Sequence, residues 1–346
     1  MKINQFNITA GRTFVIAELS ANHNNDIELA KDTIRAMKES GADCVKLQTY
    51  TAESLSINAD NEYFGPRKNG LWKGWRPYDL YKNAAMPWEW QPELIELAGS
   101  LGMICFSSPF DFKAVDFLAD LDTPAYKIAS FEIHDLPLIK YAASKGKPMI
   151  ISTGIATLED ISNAVKACKG VGNKQIALLK CTSAYPAPFN EINLRTIPNM
   201  KETFDCVVGL SDHTLGSAAP LGAVALGAKI IEKHFILDRS LGGVDSSFSM
   251  EPQEFKEMVD GIRNLEEALG SVTYDLTEKA ADSRKRGRSL FIATDVKEGD
   301  IFTNENVRSV RPAAGLPPVN LDVVLGKKAK INLAKGTPLK WKDVGN

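Results

Sequence analysis

Eight short runs rich in β-forming residues recur before residue 236. Each is followed by a segment with helical patterning, and this alternation restricts the chain to very few folds. The runs are FVIAELS (14–20), CVKLQTY (44–50), ICFSSPF (104–110), AYKIAS (125–130), PMIIST (148–153), IALLKCT (176–182), VVGLSDH (207–213) and KIIEKHF (229–235). The segments between them carry helix signals. DIELAKDTIRAMKESG places Gly41 where a helix C-terminus needs a glycine. TLEDISNAVKACKG opens on a threonine N-cap and an acidic first turn. Strands that each return through a helix pair in parallel, and eight of them close into a (β/α)8, or TIM, barrel. A doubly wound open sheet is the alternative. It would normally bring a glycine-rich dinucleotide loop, and no G-x-G-x-x-G occurs.

The 346 residues leave room for an appendage beside such a barrel. A helix ends near Gly270, and a polar segment with the basic run RKRGR (284–288) follows, which reads as a linker over 271–288. The remainder, 289–346, contains one pattern twice: VKEGDIFTNENV (296–307) and LAKGTPLKWKDV (333–344). A small β-rich domain built from two similar halves is expected there, with the barrel over 1–270.

Bulk properties exclude several classes of function. The chain is 44% hydrophobic and 24% charged, with a net charge of −2, so it carries no nucleic-acid footprint. Its start lacks the apolar core of a signal peptide, and its most apolar stretch, SAAPLGAVALGAKII, is too short to span a membrane. Five cysteines without C-x-x-C spacing read as reduced, mostly buried thiols of a cytoplasmic protein; a nucleophilic Cys105 or Cys181 is not required.

In a TIM barrel the chemistry gathers at the C-terminal ends of the strands. Those ends supply Glu18, Lys46 with Gln48, Ser107 with Ser108, and Lys127 with Ser130 and Glu132. They continue with Ser152, Thr182 with Ser183, Ser211 with His213, and Glu232 with His234. Stability alone does not demand polar groups at the same end of every strand. Hydroxyls and two lysines suit an anion of phosphate type. A single strand-end histidine is often structural, but His213 and His234 on adjacent strands can hold one divalent metal. The second connection, roughly 51–90, is much longer than the others and holds four of the five tryptophans. It reads either as part of a substrate site or as a surface loop packed on its own aromatics.

IAELSANH, KLQTY, FSSPF, AYKIASFE, STG, CTSAYP, GLSDHTLG and EKHF occur in this order. Together with SVRPAAGLPP near the C-terminus, they resemble the sialic acid synthase family over nearly the whole chain. The resemblance implies condensation of phosphoenolpyruvate with an N-acetylated amino sugar, with C–O cleavage and release of phosphate. It also implies a C-terminal antifreeze-like (SAF, β-clip) domain. The family more often reads IAEIGxNH, FSTPF and CTNxYP. The forms found here, with GLWKGWRPYDLY and RSLFIATDVKEGD, are similar to its pseudaminic branch. That branch implies a 2,4-diacetamido-2,4,6-trideoxy-altrose as substrate. Branches making legionaminic or N-acetylneuraminic acid are the alternative.

By the same resemblance, His213 and His234 are metal histidines for Mn2+, Mg2+ or Co2+. Lys46, Lys127, Ser130, Ser152 and Ser211 match groups that hold phosphoenolpyruvate. Ser108 keeps the hydroxyl of a family threonine, and Ser183 stands where the family has asparagine. Glu18, Gln48, Glu132, Tyr185 and Asp245 match positions around the sugar and the reacting centre, with Glu18 and Glu132 as alternatives for the base. Arg311 matches an arginine of the SAF domain that reaches a sugar acetamido group from the other subunit of a domain-swapped homodimer.

Overall fold

The computed structural model describes residues 1–346 and contains a closed barrel of eight parallel strands. In chain order these are Phe14–Glu18, Cys44–Thr49, Ile104–Pro109, Tyr126–Ile128, Met149–Ser152, Ile176–Cys181, Val207–Asp212 and Ile230–His234. The last pairs with the first, matching His234 to Glu18, and the first places Glu18 beside Lys46 of the second. The eight runs read from the sequence are therefore the eight staves, and the open-sheet alternative falls.

Helices fill the connections for the reasons read in the sequence. The helix Ile27–Glu39 ends at Ser40, and Gly41 takes φ +87°, a left-handed value that favours glycine. The helix Leu158–Gly170 starts from a reciprocal capping box between Thr157 and Asp160. Residues facing outward from the strands, such as Val15, Val45, Ile128 and Ile231, pack against Ile34, Leu94, Leu138 and Phe255 of the helices. Inward-facing residues at the start of the strands form a separate core of Phe14, Ile16, Ile104, Phe106, Ile150 and Leu179. A short antiparallel hairpin, Lys2–Ile3 with Phe6–Asn7, contributes Ile3 and Ile8 to that core. At Gly209, also inward-facing, a Cβ would run into the Ile230 carbonyl and Leu179, so only glycine fits there.

The chain divides into two compact units, Met1–Gly270 and Ser271–Asn346. Part of the segment read as a linker is folded, since Glu278–Arg284 is a helix capped by Thr277. The second unit carries the duplication into three dimensions. Val296 and Leu333, equivalent positions 37 residues apart, exchange backbone hydrogen bonds of 2.9 and 2.8 Å. The Gly299 amide donates to the Ala329 carbonyl, and its equivalent Gly336 donates to Ile292, the equivalent of Ala329. Phe302 and Leu339 are likewise matched, both buried in one core with Val307 and Val344. No helix in the chain is long and apolar enough to cross a membrane.

Candidate active site at the barrel mouth

At the C-terminal ends of the strands the inward-facing side chains change from apolar to charged. Lys46 sits between two carboxylates: it ion-pairs with Glu18, and its Nζ lies 2.7 Å from Glu232 Oε1. Lys127 Nζ is 3.6 Å from the same Glu232 oxygen, to which the Ser211 hydroxyl also donates at 3.1 Å. Burial alone would raise the Glu232 carboxyl. Lys127, Lys46 and these hydrogen bonds outweigh it and hold the group ionised, well below the usual range. Burial lowers Lys46, with Glu232 opposing. Two lysines against two carboxylates give a buried cluster balanced in charge.

Around it lie hydroxyls without partners. Ser108, Ser152 and Ser183 each bury an Oγ that makes no hydrogen bond. Buried polar atoms are rarely left so, and three converging hydroxyls beside two lysines are what an oxyanion would satisfy. Ser130 accepts the Gly154 amide at 3.0 Å. A Cβ on Gly154 would collide with the Ser183 and Ser130 hydroxyls, so the STG turn needs its glycine for close approach. Ser107, one residue before Ser108, faces away from this cluster and bonds Thr49 at 2.6 Å. Thr182 is also turned out, with its hydroxyl on the Glu191 carbonyl.

The two histidines meet on the other side of the mouth, their ring centroids 5.3 Å apart. His213 Nδ1 lies 3.0 Å from the Thr182 carbonyl, which fixes the ring and leaves Nε2 available. His234 Nδ1 is buried with no partner, and burial with neighbouring cations pushes its pKa well below the usual value, so its ring is neutral. No third His, Cys, Asp or Glu completes a cluster able to hold a metal. Burial alone would lower His213, but Cys181 and the Thr182 carbonyl outweigh it and raise its pKa, so of the two rings only His234 is held neutral. The pair nevertheless fits a divalent ion whose other positions are taken by ligand oxygens and water. Behind them, Asp212 and Lys233, each one residue before a histidine, form a fully buried ion pair across adjacent strands. Asp212 also accepts the amide and hydroxyl of Thr214, so the pair ties both histidine-bearing strand ends together.

A cavity of about 460 Å³ opens above these groups, lined among others by Gln48, Glu132, Tyr185 and Asp245. Glu132 buries an unpartnered Oε2, and burial raises its carboxyl to about 7, against the pull of Lys127. Asp245 accepts a hydrogen bond from Ser20, and Ser249 donates to its carbonyl at 2.7 Å. Tyr185 packs on His213 with ring centroids 4.4 Å apart. The long second connection does reach the site: Trp72 packs on Tyr185 at 5.8 Å, and its Nε1 donates to the Val244 carbonyl at 3.0 Å. Arg311 belongs to the second unit, where it is exposed in the loop after Val307–Val310.

Several participants escape a reading of residue types alone. Glu232 stands at a strand end in the sequence, but only the register with Ser211 and the two lysines makes it the hub of the charge cluster. Ser20 lies in the left-handed region, φ +49°, where the family more often has glycine, and its hydroxyl reaches Asp245. Cys181 lines the cavity 3.9 Å from His213 Nδ1, while Cys105 packs in the strand–helix layer, its thiol raised to about 12 by burial.

A TIM barrel with an anion cradle beside an imidazole pair, joined to a SAF domain, defines the class. The chain belongs to the NeuB family, whose model matches residues 33–274, and the SAF domain model matches 287–345. Its relatives include the pseudaminic acid synthase of Campylobacter jejuni subsp. jejuni serotype O:23/36, 48% identical over 99% of both chains. That of Helicobacter pylori is 45% identical, covering 95% of this chain and 97% of its own. Among solved structures, the N-acetylneuraminic acid synthetase of Leptospira borgpetersenii matches with a TM-score of 0.70 and 30% identity. It covers 79% of this chain and 90% of that one.

Proposed function

We propose that the protein is a pseudaminic acid synthase. It condenses phosphoenolpyruvate with 2,4-diacetamido-2,4,6-trideoxy-β-L-altrose and water to give pseudaminic acid and phosphate. The observation that carries this is the set of unpartnered hydroxyls beside two buried lysines, next to the paired imidazoles. Full-length similarity to synthases of that name supports the choice of sugar.

Lys46 and Lys127, with Ser108, Ser130, Ser152, Ser183 and Ser211, hold the phosphate and carboxylate of phosphoenolpyruvate. His213 and His234 would hold a divalent cation, Mn2+, Mg2+ or Co2+, which when bound supplies a Lewis acid for the sugar carbonyl oxygen. Gln48, Tyr185 and Asp245 orient the open-chain sugar so that C3 of phosphoenolpyruvate attacks its aldehyde. Water then adds at C2, and cleavage of the C–O bond expels phosphate. Of the two carboxylates available as base for that water, Glu132 is the better suited. Both have an unpartnered oxygen, but Glu18 is ion-paired to Lys46, whereas Glu132 has a pKa matched to neutral pH.

The five free thiols support a reducing, cytoplasmic setting. We infer a homodimer in which Arg311 serves the site of a second copy by domain exchange. Arg311 is exposed and has no acidic partner. Phe131, Leu158, Phe189 and Leu215, in the connections after four successive strands, are more than half exposed and suited to burial by another chain. A fully active monomer in sedimentation would overturn this assembly.

Phosphate release measured with phosphoenolpyruvate and a panel of amino sugars tests the function. The diacetamido altrose should give the highest kcat/KM, ahead of N-acetylmannosamine and the legionaminic precursor. In 18O-labelled water the label should enter the sugar acid. Label in phosphate would mean attack at phosphorus and a different reaction.

A further inference from the structure

Arg67 is a cation on the cavity wall with nothing acidic beside it. Its guanidinium stacks 5.3 Å from the Trp72 ring and makes one side-chain hydrogen bond, of 3.1 Å, to the Tyr81 hydroxyl. A guanidinium has five N–H donors in a planar fork, so most of this one's capacity is unspent. The segment that carries it is held in place. Arg67 N donates to the Trp75 carbonyl at 2.9 Å, and Gly74 N returns a bond to the Arg67 carbonyl at 2.8 Å. The turn between them has Gly70 and Gly74 at positive φ, +85° and +88°. Trp72 anchors its tip to Val244, beside Asp245. Arg67 is therefore an ordered side chain on a braced loop.

Its position relative to the reacting centre is fixed by two rings. Tyr185 packs on both His213 and Trp72, and Arg67 stacks on Trp72, so a chain of ring contacts links the imidazoles to the guanidinium. A sugar whose aldehyde faces the imidazoles extends its far carbons toward Arg67. Besides the Tyr81 hydroxyl that Arg67 bonds, the cavity is lined by the apolar and aromatic side chains of Tyr50, Leu55, Trp72, Leu80 and Phe110. Resting on the function proposed above, the geometry points to Arg67 and Trp72 as the subsite for the far end of the sugar. The guanidinium donates to the carbonyl of the C4 acylamino group, and the aromatic wall receives the C6 methyl. The carbonyl of an acylamino group is the acceptor that this sugar offers to the planar N–H fork.

Steady-state kinetics of R67A and R67K with two sugars test this. The probes are the diacetamido altrose and N-acetylmannosamine, which lacks both the C4 acetamido group and the C6 methyl. In R67A the KM for the diacetamido sugar should rise about tenfold or more, as expected for losing a charged donor to a buried acceptor. KM for phosphoenolpyruvate should stay within about twofold and kcat within a few-fold, so preference over N-acetylmannosamine narrows. R67K keeps the charge and bulk but loses the fork, so it should fall between wild type and R67A even if R67A folds poorly. An equal shift for both sugars, or a parallel shift for phosphoenolpyruvate, would overturn the subsite. Wild type favouring the diacetamido sugar while both variants keep its preference would overturn the subsite alone. Wild type favouring N-acetylmannosamine would overturn the functional reading with it.

Discussion

The floor and the mouth of the barrel are made by the same strands, yet they are built on opposite terms. At the floor, the inward residues Phe14, Ile16, Ile104, Phe106, Ile150 and Leu179 are fully or almost fully buried and touch one another, with Ile3 and Ile8 plugging the end. Two residues further along each strand, the inward positions are Glu18, Lys46, Ser108, Lys127, Ser152 and Glu232, equally buried but charged or unpartnered. Burying a side chain such as Ile150 stabilises by about 1.5–3 kcal/mol. Burying an ion pair such as Lys46–Glu232 is near neutral or costly against a hydrophobic replacement. The floor therefore supplies the stability that the mouth uses, and substitutions at the two ends should have opposite signatures.

The largest effect is expected at the imidazole pair. His213→Ala and His234→Ala should each lower turnover by about a thousandfold or more, because each would remove one of the two imidazoles proposed to hold a divalent ion. Both variants should unfold cooperatively near the wild-type temperature, since the floor and the Asp212–Lys233 strut remain. Isothermal titration with Mn2+ should show binding lost in both, and chelation should silence the wild type reversibly. Full activity after exhaustive chelation would break the reading of the mouth as a metal site.

A smaller effect, with a definite sign, is expected at Glu132. Burial raises its carboxyl from the ordinary value to about 7, opposed by Lys127 and reinforced by Asp135. The base form is therefore present above pH 7 and lost as pH falls through it, so kcat/KM should be about tenfold below its plateau at pH 6. Glu132→Gln should lower the plateau about a hundredfold and remove the acid limb. A limb that persists in the variant would assign it to another group.

How legible this was in the sequence depended on range. The eight strands and the 37-residue repeat were readable because their signals are local: β-rich runs between capped helices, and matched glycines at 299 and 336. Strand-end polarity exposed most of the site, because inward and outward positions alternate in a strand and the mouth is always at the same end. The N-terminal hairpin was not readable, since strands of two residues carry no periodicity. Nor was the Trp72–Val244 bond, which joins residues 172 positions apart with no local pattern. Polarity marked Glu232 but could not say that two lysines and a serine converge on one of its oxygens. Arg311 was legible as a motif residue, but the role proposed for it requires a second chain, which one sequence does not display.

The smallest effects make the sharpest test of the contrast. Ser20 holds φ +49°, a conformation that costs a non-glycine residue about 1 kcal/mol, and in return its hydroxyl binds the Asp245 carboxylate. Ser20→Gly removes the strain and the hydrogen bond together, and glycine's extra freedom in the unfolded chain offsets part of the relief. Stability should therefore stay within about 1 kcal/mol of wild type, while KM for the sugar rises several-fold as Asp245 loses its anchor. At the floor, Ile150→Val deletes one methylene from a closed apolar core and should cost about 0.5–1.5 kcal/mol in urea unfolding. Ile150 is the register neighbour of Lys127, but its side chain packs in the apolar floor and the backbone pairing is untouched by the change, so both KM values and kcat should be unchanged. The two variants thus separate the quantities: one moves the sugar KM at nearly constant stability, the other moves stability at constant kinetics. If Ile150→Val also shifts the KM for phosphoenolpyruvate, the two ends of the barrel are mechanically coupled, and the division between them fails.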